Sequence, residues 1–236
     1  MIEYIRRQIN KIFYIDVIRF PSTDLRRRKK LLDKYNINLV LDVGSNVGQY
    51  ARQLRQIGYK GTIHSFEPQS KVFKILAKNS KSDSRWQCHN FGFGDKKQEM
   101  QINISENSYS SSILELTDSH LSTESKSKFV ALEGIEVKKL DDFLPEISGK
   151  NNNVFLKLDV QGYEDRVLKG SSKSLDKIIG IQIEMSLVPM YSGEVLFIEM
   201  TEKLQSLGFK LQSLENGFYD RDSGQLLQVD GIFFKE

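Results

Sequence analysis

Four carboxylates stand at or near the ends of apolar strand-like runs, which is where an α/β protein gathers its chemistry. Asp42 lies in Asn38-Leu-Val-Leu-Asp-Val43, and Glu67 follows Thr62-Ile-His-Ser-Phe66. Asp159 follows Asn153-Val-Phe-Leu-Lys-Leu158, and Glu184 follows Ile178-Ile-Gly-Ile-Gln-Ile183. Carboxylates so placed can remove a proton, ligate a metal or orient a cofactor. The plainer readings are a helix cap for Asp159 and a surface ion pair for Glu184. Between Asp42 and the next helix runs Gly44-Ser45-Asn46-Val47-Gly48. Glycine there lets backbone approach a ligand, and the helix behind it offers free N–H groups. A dinucleotide fingerprint starting at Gly44 would need glycine at 46 and 49, where Asn46 and Gln49 stand instead, so NAD and FAD are disfavoured. Glu67, 23 residues after Gly44, suits the two hydroxyls of a ribose. Together these describe a nucleoside-cofactor site without a pyrophosphate cradle.

The histidines compete for the role of base. His64 and His89 fall mid-strand and read as core residues, whereas His120 sits in an irregular segment that an acceptor could reach. Cys88 reads as a small buried apolar residue, and His and Cys are not spaced as a zinc site.

The elements that must carry these residues alternate strand and helix from Asn38 onward, the pattern of a mainly parallel sheet. Helical spacing covers Val47–Ile57, stopped by Gly58, then Val72–Leu76, Glu164–Leu168 and Phe197–Leu207, stopped by Gly208. Further strands are predicted near Trp86–Phe91 and over Ile135–Leu140, and Phe209–Leu214 and Leu226–Phe234 read as a closing antiparallel pair. Residues 105–133 are Ser-rich, with little periodicity, and read as one long irregular segment. Before Asn38, Ile2, Ile5, Ile9, Ile12, Phe13 and Val17 predict an amphipathic helix ended by Pro21. Asp24 is placed to cap a second helix that carries Arg26-Arg-Arg-Lys-Lys30. The organisation is therefore a basic helical extension, residues 1–35, and a single larger domain, residues 36–236.

Asp42-Val-Gly-Ser-Asn-Val-Gly48, Ser65-Phe-Glu-Pro68, Leu156-Lys-Leu-Asp-Val-Gln-Gly-Tyr-Glu164, Ile183-Glu-Met185 and Pro189-Met-Tyr191 together resemble the FkbM family of S-adenosylmethionine-dependent methyltransferases. The string from Leu156 is the specific part. The resemblance implies a class I, Rossmann-like, doubly wound sheet of seven strands with an antiparallel C-terminal strand. It implies O-methylation of a hydroxyl acceptor, a sugar in a glycan or glycolipid or a secondary metabolite. Carried over, Asp42, Gly44, Ser45, Asn46 and Gly48 would hold the methionine half of the cofactor. Glu67 would hold the ribose, and Asn90, Phe91 and Gly92 would approach the adenine. Asp159 and Gln161 would lie by the transferring methyl. Tyr163, Glu184, Tyr191 and the Ser110, Ser111, Ser112 loop would face the acceptor. Asp159 or Glu184 would be the base or the ligand of a divalent metal, with His120 as a further catalytic candidate.

Composition trims the alternatives. With 39% hydrophobic residues, 28% charged, 4 Pro and a single Cys, the chain is neither disordered nor a disulfide scaffold, and no apolar run is long enough to span a bilayer. Arg6, Arg7 and Lys11 interrupt any signal-peptide core, so a soluble cytoplasmic protein is expected. The net charge of +3 divides into +6 over residues 1–35 and −3 over the rest. That basic head is expected to pack on the body, with contact to an anionic membrane surface through Arg26–Lys30 as the second reading. DNA is not an expected partner. The competing functions are RNA methylation, with Arg26–Lys30 as a phosphate tether, and a nonenzymatic nucleoside-binding scaffold.

Overall fold

The computed structural model describes residues 2–13, 20–107, 110–117, 127–149 and 151–235. The chain begins with α1 (Ile2–Phe13) and α2 (Thr23–Lys34), then alternates β1 (Leu39–Val43), α3 (Gln49–Gln56), β2 (Thr62–Phe66), α4 (Ser70–Ser80) and β3 (Trp86–His89). Next come β4 (Gly92–Phe93), β5 (Gln98–Ser105), β6 (Phe129–Lys138), α5 (Leu140–Ile147), β7 (Val154–Leu158) and α6 (Glu164–Lys169). The chain closes through β8 (Ile178–Ser186), α7 (Phe197–Ser206), β9 (Phe209–Asn216) and β10 (Gln228–Lys235).

Seven strands form one sheet in the order β3-β2-β1-β7-β8-β10-β9. The first five are parallel, and β10 runs antiparallel to both β8 and β9. This is the doubly wound sheet with an antiparallel last strand that the family resemblance implies, and the closing pair is antiparallel as the pattern predicts. The continuous apolar runs follow from burial on both faces. In β1, Leu39, Leu41 and Val43 join one core, while Val40 joins the other with Tyr50, Leu54 and Phe155. In β7, Val154, Leu156 and Leu158 belong to the first core and Phe155 to the second. Each such side chain contributes on the order of 1.5–3 kcal/mol on burial, so the register of β1 against β7 is firmly set.

Three expectations are corrected. The span 105–133 is irregular only between its ends, because Ser105 closes β5 and Phe129–Glu133 open β6, which pair antiparallel across Ser105↔Phe129 to Gln98↔Val137 and with β4 form a second, three-stranded sheet; the described residues between them carry no α-helix or strand. Met100, Ile102 and Ile104 alternate with polar residues in β5, the period of a half-buried strand, and Ile102, Ile135 and Val137 make a small core beneath it. Second, β8 does not stop at Ile183 but runs to Ser186, so Glu184 is a strand residue opposite Asp230 of β10. Third, Ser22 rather than Asp24 caps α2, accepting from the Leu25 N–H at 3.2 Å, while Asp24 pairs with Arg27.

The basic run on α2 is not a uniformly solvated face. Arg28 is buried against Glu215 of β9, Arg27 donates to Ser213 Oγ at 2.6 Å, and Lys29 pairs with Asp33, leaving Arg26 and Lys30 exposed. Leu32 of the same helix enters the second core beside Phe155 and Phe234, so α2 packs on the body. Among the described residues no helix is long and apolar enough to cross a membrane.

Candidate active site

Strand register assembles the site. Ser65, Asp42, Lys157 and Gln182 are consecutive partners across β2, β1, β7 and β8, so they form one polar row on the α3 face of the sheet. Asp42 is wholly buried. Its Oδ2 accepts from Ser65 Oγ at 3.1 Å, Ser65 Oγ accepts from the Trp86 indole at 2.9 Å, and its Oδ1 faces Lys157 Nζ at 3.5 Å. Burial pushes the Asp42 carboxyl above its ordinary value, and Lys157 only partly opposes this. Lys157 also donates to Asp159 Oδ2 at 3.0 Å and to the Gly44 carbonyl at 3.3 Å. Burial alone would lower the lysine, but Asp159 and Asp42 outweigh it and hold the ammonium above its usual range.

The turn after β1 needs its glycines. Gly44 has φ +74°, and a Cβ there would lie 1.8 Å from the Asp159 carbonyl oxygen. Gly48 caps α3 at φ +84°, and a Cβ would strike the Trp86 ring at 2.5 Å. Glu67 closes the turn from the other side. Its two oxygens accept from the Asn46 and Gln69 backbone N–H groups, each at 2.9 Å. Burial nevertheless raises this carboxyl to about 7.

Beyond β7, Gln161 adopts φ +55° and ties several groups together. Its amide N–H₂ donates to Asp159 Oδ1 at 2.8 Å and to Glu184 Oε2 at 2.7 Å, while its carbonyl accepts from the Tyr191 hydroxyl. Glu184 is held well above the carboxylate range by burial and then by Asp159, Asp230 and Glu164. Tyr191 is raised likewise by burial and by Glu184. Glu164, raised by burial to about 8, accepts from the Val160 N–H at 2.8 Å and holds the loop that carries Gln161.

A cavity of about 350 Å³ opens along this sheet edge. Of the residues predicted for the site, Gly44, Ser45, Asn46, Glu67, Gly92, Ser111, Asp159, Gln161 and Tyr163 line it. Asp42 and Gly48 lie behind the turn. Tyr191 is buried and, with Glu184, stands behind Gln161, and Ser112 donates to the Gln161 carbonyl at 2.6 Å. Ser110 is bound to Ser127 at 2.8 Å. Asn90 is exposed and donates to the carbonyls of Glu67 and Pro68, fixing that turn from outside, while Phe91 is packed among Phe66, Phe93 and Phe143. His120 lies outside the described residues. His64 and His89 face one another at 3.0 Å in a ring stack with Phe66, each lowered by burial to about 4. His64 is buried, His89 is half-buried against Phe66, Phe91 and Phe143, and neither lines the cavity.

The family model of the methyltransferase FkbM domain matches residues 42–211. The chain belongs to the FkbM methyltransferase family. Relatives of this FkbM chain include 2-O-methyltransferase NoeI of Sinorhizobium fredii (strain NBRC 101917 / NGR234), 26% identical over 191 residues that cover 77% of this chain and 78% of NoeI. Methyltransferase 1 of Beauveria bassiana (strain ARSEF 2860) is 24% identical over 196 residues, 78% of this chain and 73% of that protein. Solved structures of similar shape include M. capricolum TrmK in complex with S-adenosyl-homocysteine, at 11% identity and TM-score 0.48 over 92% of this chain and 70% of that one. Magnesium protoporphyrin IX methyltransferase (ChlM) from Synechocystis PCC 6803 with bound SAM gives 10% identity and TM-score 0.47, over 99% and 96%.

Sequence reasoning passed over several residues of this FkbM site. Lys157, Arg28, Tyr50, Gln182, Glu215 and Asp230 all line the cavity. The signal for Lys157 was a lone cation inside an otherwise apolar strand, where an unpaired charge would be prohibitive. Nothing local marks Arg28 or Glu215, which meet across 187 positions of chain. Two cavity-wall atoms, Ser45 Oγ and Gln49 Oε1, have no hydrogen-bond partner among the described residues. Among the described residues no three His, Cys, Asp or Glu side chains are grouped to hold a metal ion, and the Gln161 amide links Asp159 to Glu184.

Proposed function

We propose that this chain transfers the methyl group of S-adenosylmethionine to a hydroxyl of a sugar, in a glycan, a glycolipid or a secondary metabolite. The observation that carries the reading is that one cavity wall holds both Glu67, suited to a ribose, and Asp159, suited to a hydroxyl proton. The relative described as a 2-O-methyltransferase supports oxygen as the acceptor atom.

The wall fits the cofactor. The bare backbone at Gly44, the unpartnered Ser45 Oγ and Gln49 Oε1, and the Glu67 carboxylate offer the close approach, donors and acceptors that an amino acid joined to a nucleoside requires. S-adenosylmethionine supplies a methyl group on a sulfonium, a good leaving group, so the chain's main task is alignment. As the oxygen–carbon bond forms and the carbon–sulfur bond breaks, the hydroxyl proton passes to Asp159. Lys157 and Gln161 each bind one oxygen of that carboxylate and fix its direction. Glu184, whose carboxyl is raised by burial and by the neighbouring acids, donates nothing to the acceptor directly and is a positioning residue acting through Gln161.

Methyl-labelled S-adenosylmethionine incubated with fractionated glycolipid, polysaccharide, RNA and small-metabolite extracts names the acceptor class, and label in a saccharide fraction is expected. Asp159→Asn should lower kcat about a hundredfold or more, with S-adenosylhomocysteine binding retained in calorimetry. Glu184→Gln should lower it less. Near wild-type turnover in both variants at saturating cofactor overturns the assignment. Failure of the intact protein to bind either form of the cofactor favours a nonenzymatic scaffold.

A further inference from the structure

The cavity extends past the groups used above. Its far lobe, over the ends of β8, β10 and β9, is walled by Arg28, Gln53, Gln182, Glu215, Asn216 and Asp230. Four of these, Arg28, Glu215, Asn216 and Asp230, fall outside the residues 42–211 matched by the family model. One wall of the lobe is brought in by the N-terminal helix α2 and another by β9 and β10.

Its chemistry is specific. Arg28 and Glu215 are both buried and paired at 2.5 Å, and the guanidinium lies 4.8 Å from the centre of the Tyr50 ring. The pair is neutral as a unit. Among the described residues, Arg28 Nε and Glu215 Oε1 are buried and have no hydrogen-bond partner, which leaves one donor and one acceptor of the pair unsatisfied. Gln53, exposed, accepts from Arg28 Nη1 at 3.4 Å through its Oε1 and keeps its N–H₂ to donate, and Asn216, also exposed, adds an amide that can do either. Over the whole cavity wall, two cations (Arg28 and Lys157) stand against four carboxyls (Glu67, Asp159, Glu215 and Asp230). A phosphate or carboxylate would meet that excess of acid at a cost, and an apolar group would leave the amides and the pair unsatisfied. Hydroxyls, each of which donates and accepts, match the lobe.

We propose that the Arg28–Glu215 lobe is an acceptor subsite that recognises an uncharged, hydroxyl-rich ring, so that α2 acts as a specificity element of the domain. This rests on the methyltransferase reading above, because it places the acceptor beside Asp159. The same wall disfavours a polyanion such as RNA.

The test uses the full-length protein and a panel of methyl glycopyranosides as probes, with glucuronic acid and glucose 1-phosphate as anionic counterparts, read by transfer from methyl-labelled S-adenosylmethionine. Uncharged glycosides should take label in preference to both anions. Gln53→Ala and Asn216→Ala, at exposed positions, should raise KM for the accepted glycoside, together by about tenfold, the scale of unpaired polar groups in a recognition site. Glu215→Gln, which leaves Arg28 without a charged partner, should raise it further. The affinity for S-adenosylhomocysteine should stay within about twofold in the exposed variants. Preference for either anion overturns the subsite, as does unchanged KM in Gln53→Ala/Asn216→Ala. Loss of S-adenosylhomocysteine affinity in parallel with KM also overturns it, since the lobe would then belong to the cofactor. Labelling of none of the uncharged glycosides, by protein that binds S-adenosylhomocysteine, refutes the subsite and leaves the methyltransferase reading standing. Absence of cofactor binding altogether refutes both.

Discussion

Lys157→Met is the perturbation that interrogates the site most directly. The lysine side chain is 7% exposed and its ammonium serves two carboxylates that differ in solvation: Asp42 is fully buried, whereas Asp159 is 35% exposed. Removing the cation strands Asp42 in the sheet, while water can take over at Asp159. Breaking a buried ion pair by deleting one partner costs about 3–5 kcal/mol, which for a chain of this size is roughly 6–20 °C in Tm. Methionine fills the stem's volume, so little of the loss comes from a cavity. The pH dependence separates electrostatics from packing. The folded-state value of Asp42 already lies above its ordinary 3.8, and removing Lys157 raises it further. A group so raised binds more protons folded than unfolded, so its contribution is full below about pH 4 and is lost as pH rises through the folded value. The difference between wild type and variant should therefore be large at pH 8 and shrink toward pH 4–5. Adding Asp42→Asn should restore part of the stability at pH 8, with the double-mutant cycle reporting the coupling. Urea melts of the four proteins at pH 5 and pH 8 decide it. A loss below about 1 kcal/mol, or one equal at both pH values, refutes the argument.

Other consequences can be checked more simply. Burial raises Glu67 to about 7 in the free protein. Ribose hydroxyls donating to the ionised form would lower it, so S-adenosylhomocysteine should bind more tightly from pH 6 to 8 with release of a proton, measurable by calorimetry in two buffers of different ionisation enthalpy. Glu67→Gln should weaken binding and flatten that dependence, and a flat wild-type profile would contradict the ribose role. Gly44→Ala, with its Cβ 1.8 Å from a backbone oxygen and φ +74°, should abolish cofactor binding or folding. The control Gly134→Ala, with nothing within 4 Å, should change Tm by no more than a degree or two. Contact with an anionic membrane predicts co-sedimentation with phosphatidylserine vesicles that disappears in Arg26→Gln/Lys30→Gln, the exposed members of the basic run. No sedimentation of the intact protein removes that idea.

The parts of the fold that could be read in advance are those where one local rule dominates. The runs forming β1, β2, β7 and β8 are apolar because both faces are covered, and Gly58 and Gly208 end helices at φ +85° and +86° as their positions suggest. The β5–β6 sheet escaped because Ser-rich sequence follows β5 directly and Val130 and Leu132 on β6 are solvent-exposed, so neither strand shows a strong apolar run. At the site, Asp42, Glu67 and Asp159 were legible because each sits near the end of a strand beside a turn. Arg28 and Glu215 were not, since their pairing depends on α2 crossing the sheet edge to reach β9, a long-range contact that no window of sequence contains.

The polar row from Ser65 to Gln182 bears on why the site resists relaxation. A buried carboxylate beside a buried ammonium is no better for stability than an apolar pair of the same volume. In this sheet the apolar alternative would free the Asp159 carboxylate from Lys157 and leave the Gly44 carbonyl without its donor. The two ends of the row are also held from a second direction, Ser65 by Trp86 and Gln182 by the Tyr50 hydroxyl at 3.0 Å, and Asp159, which Lys157 binds, is held by Gln161. The row thus ties the turn after β1 to the loop after β7, the two segments that must stay in fixed relation for in-line transfer. A change that preserves stability but loosens Lys157 should then lower kcat more than it raises the KM of either substrate. Lys157→Arg combined with Tyr50→Phe, which removes the hydroxyl bond to Gln182, is the variant in which to look for that split.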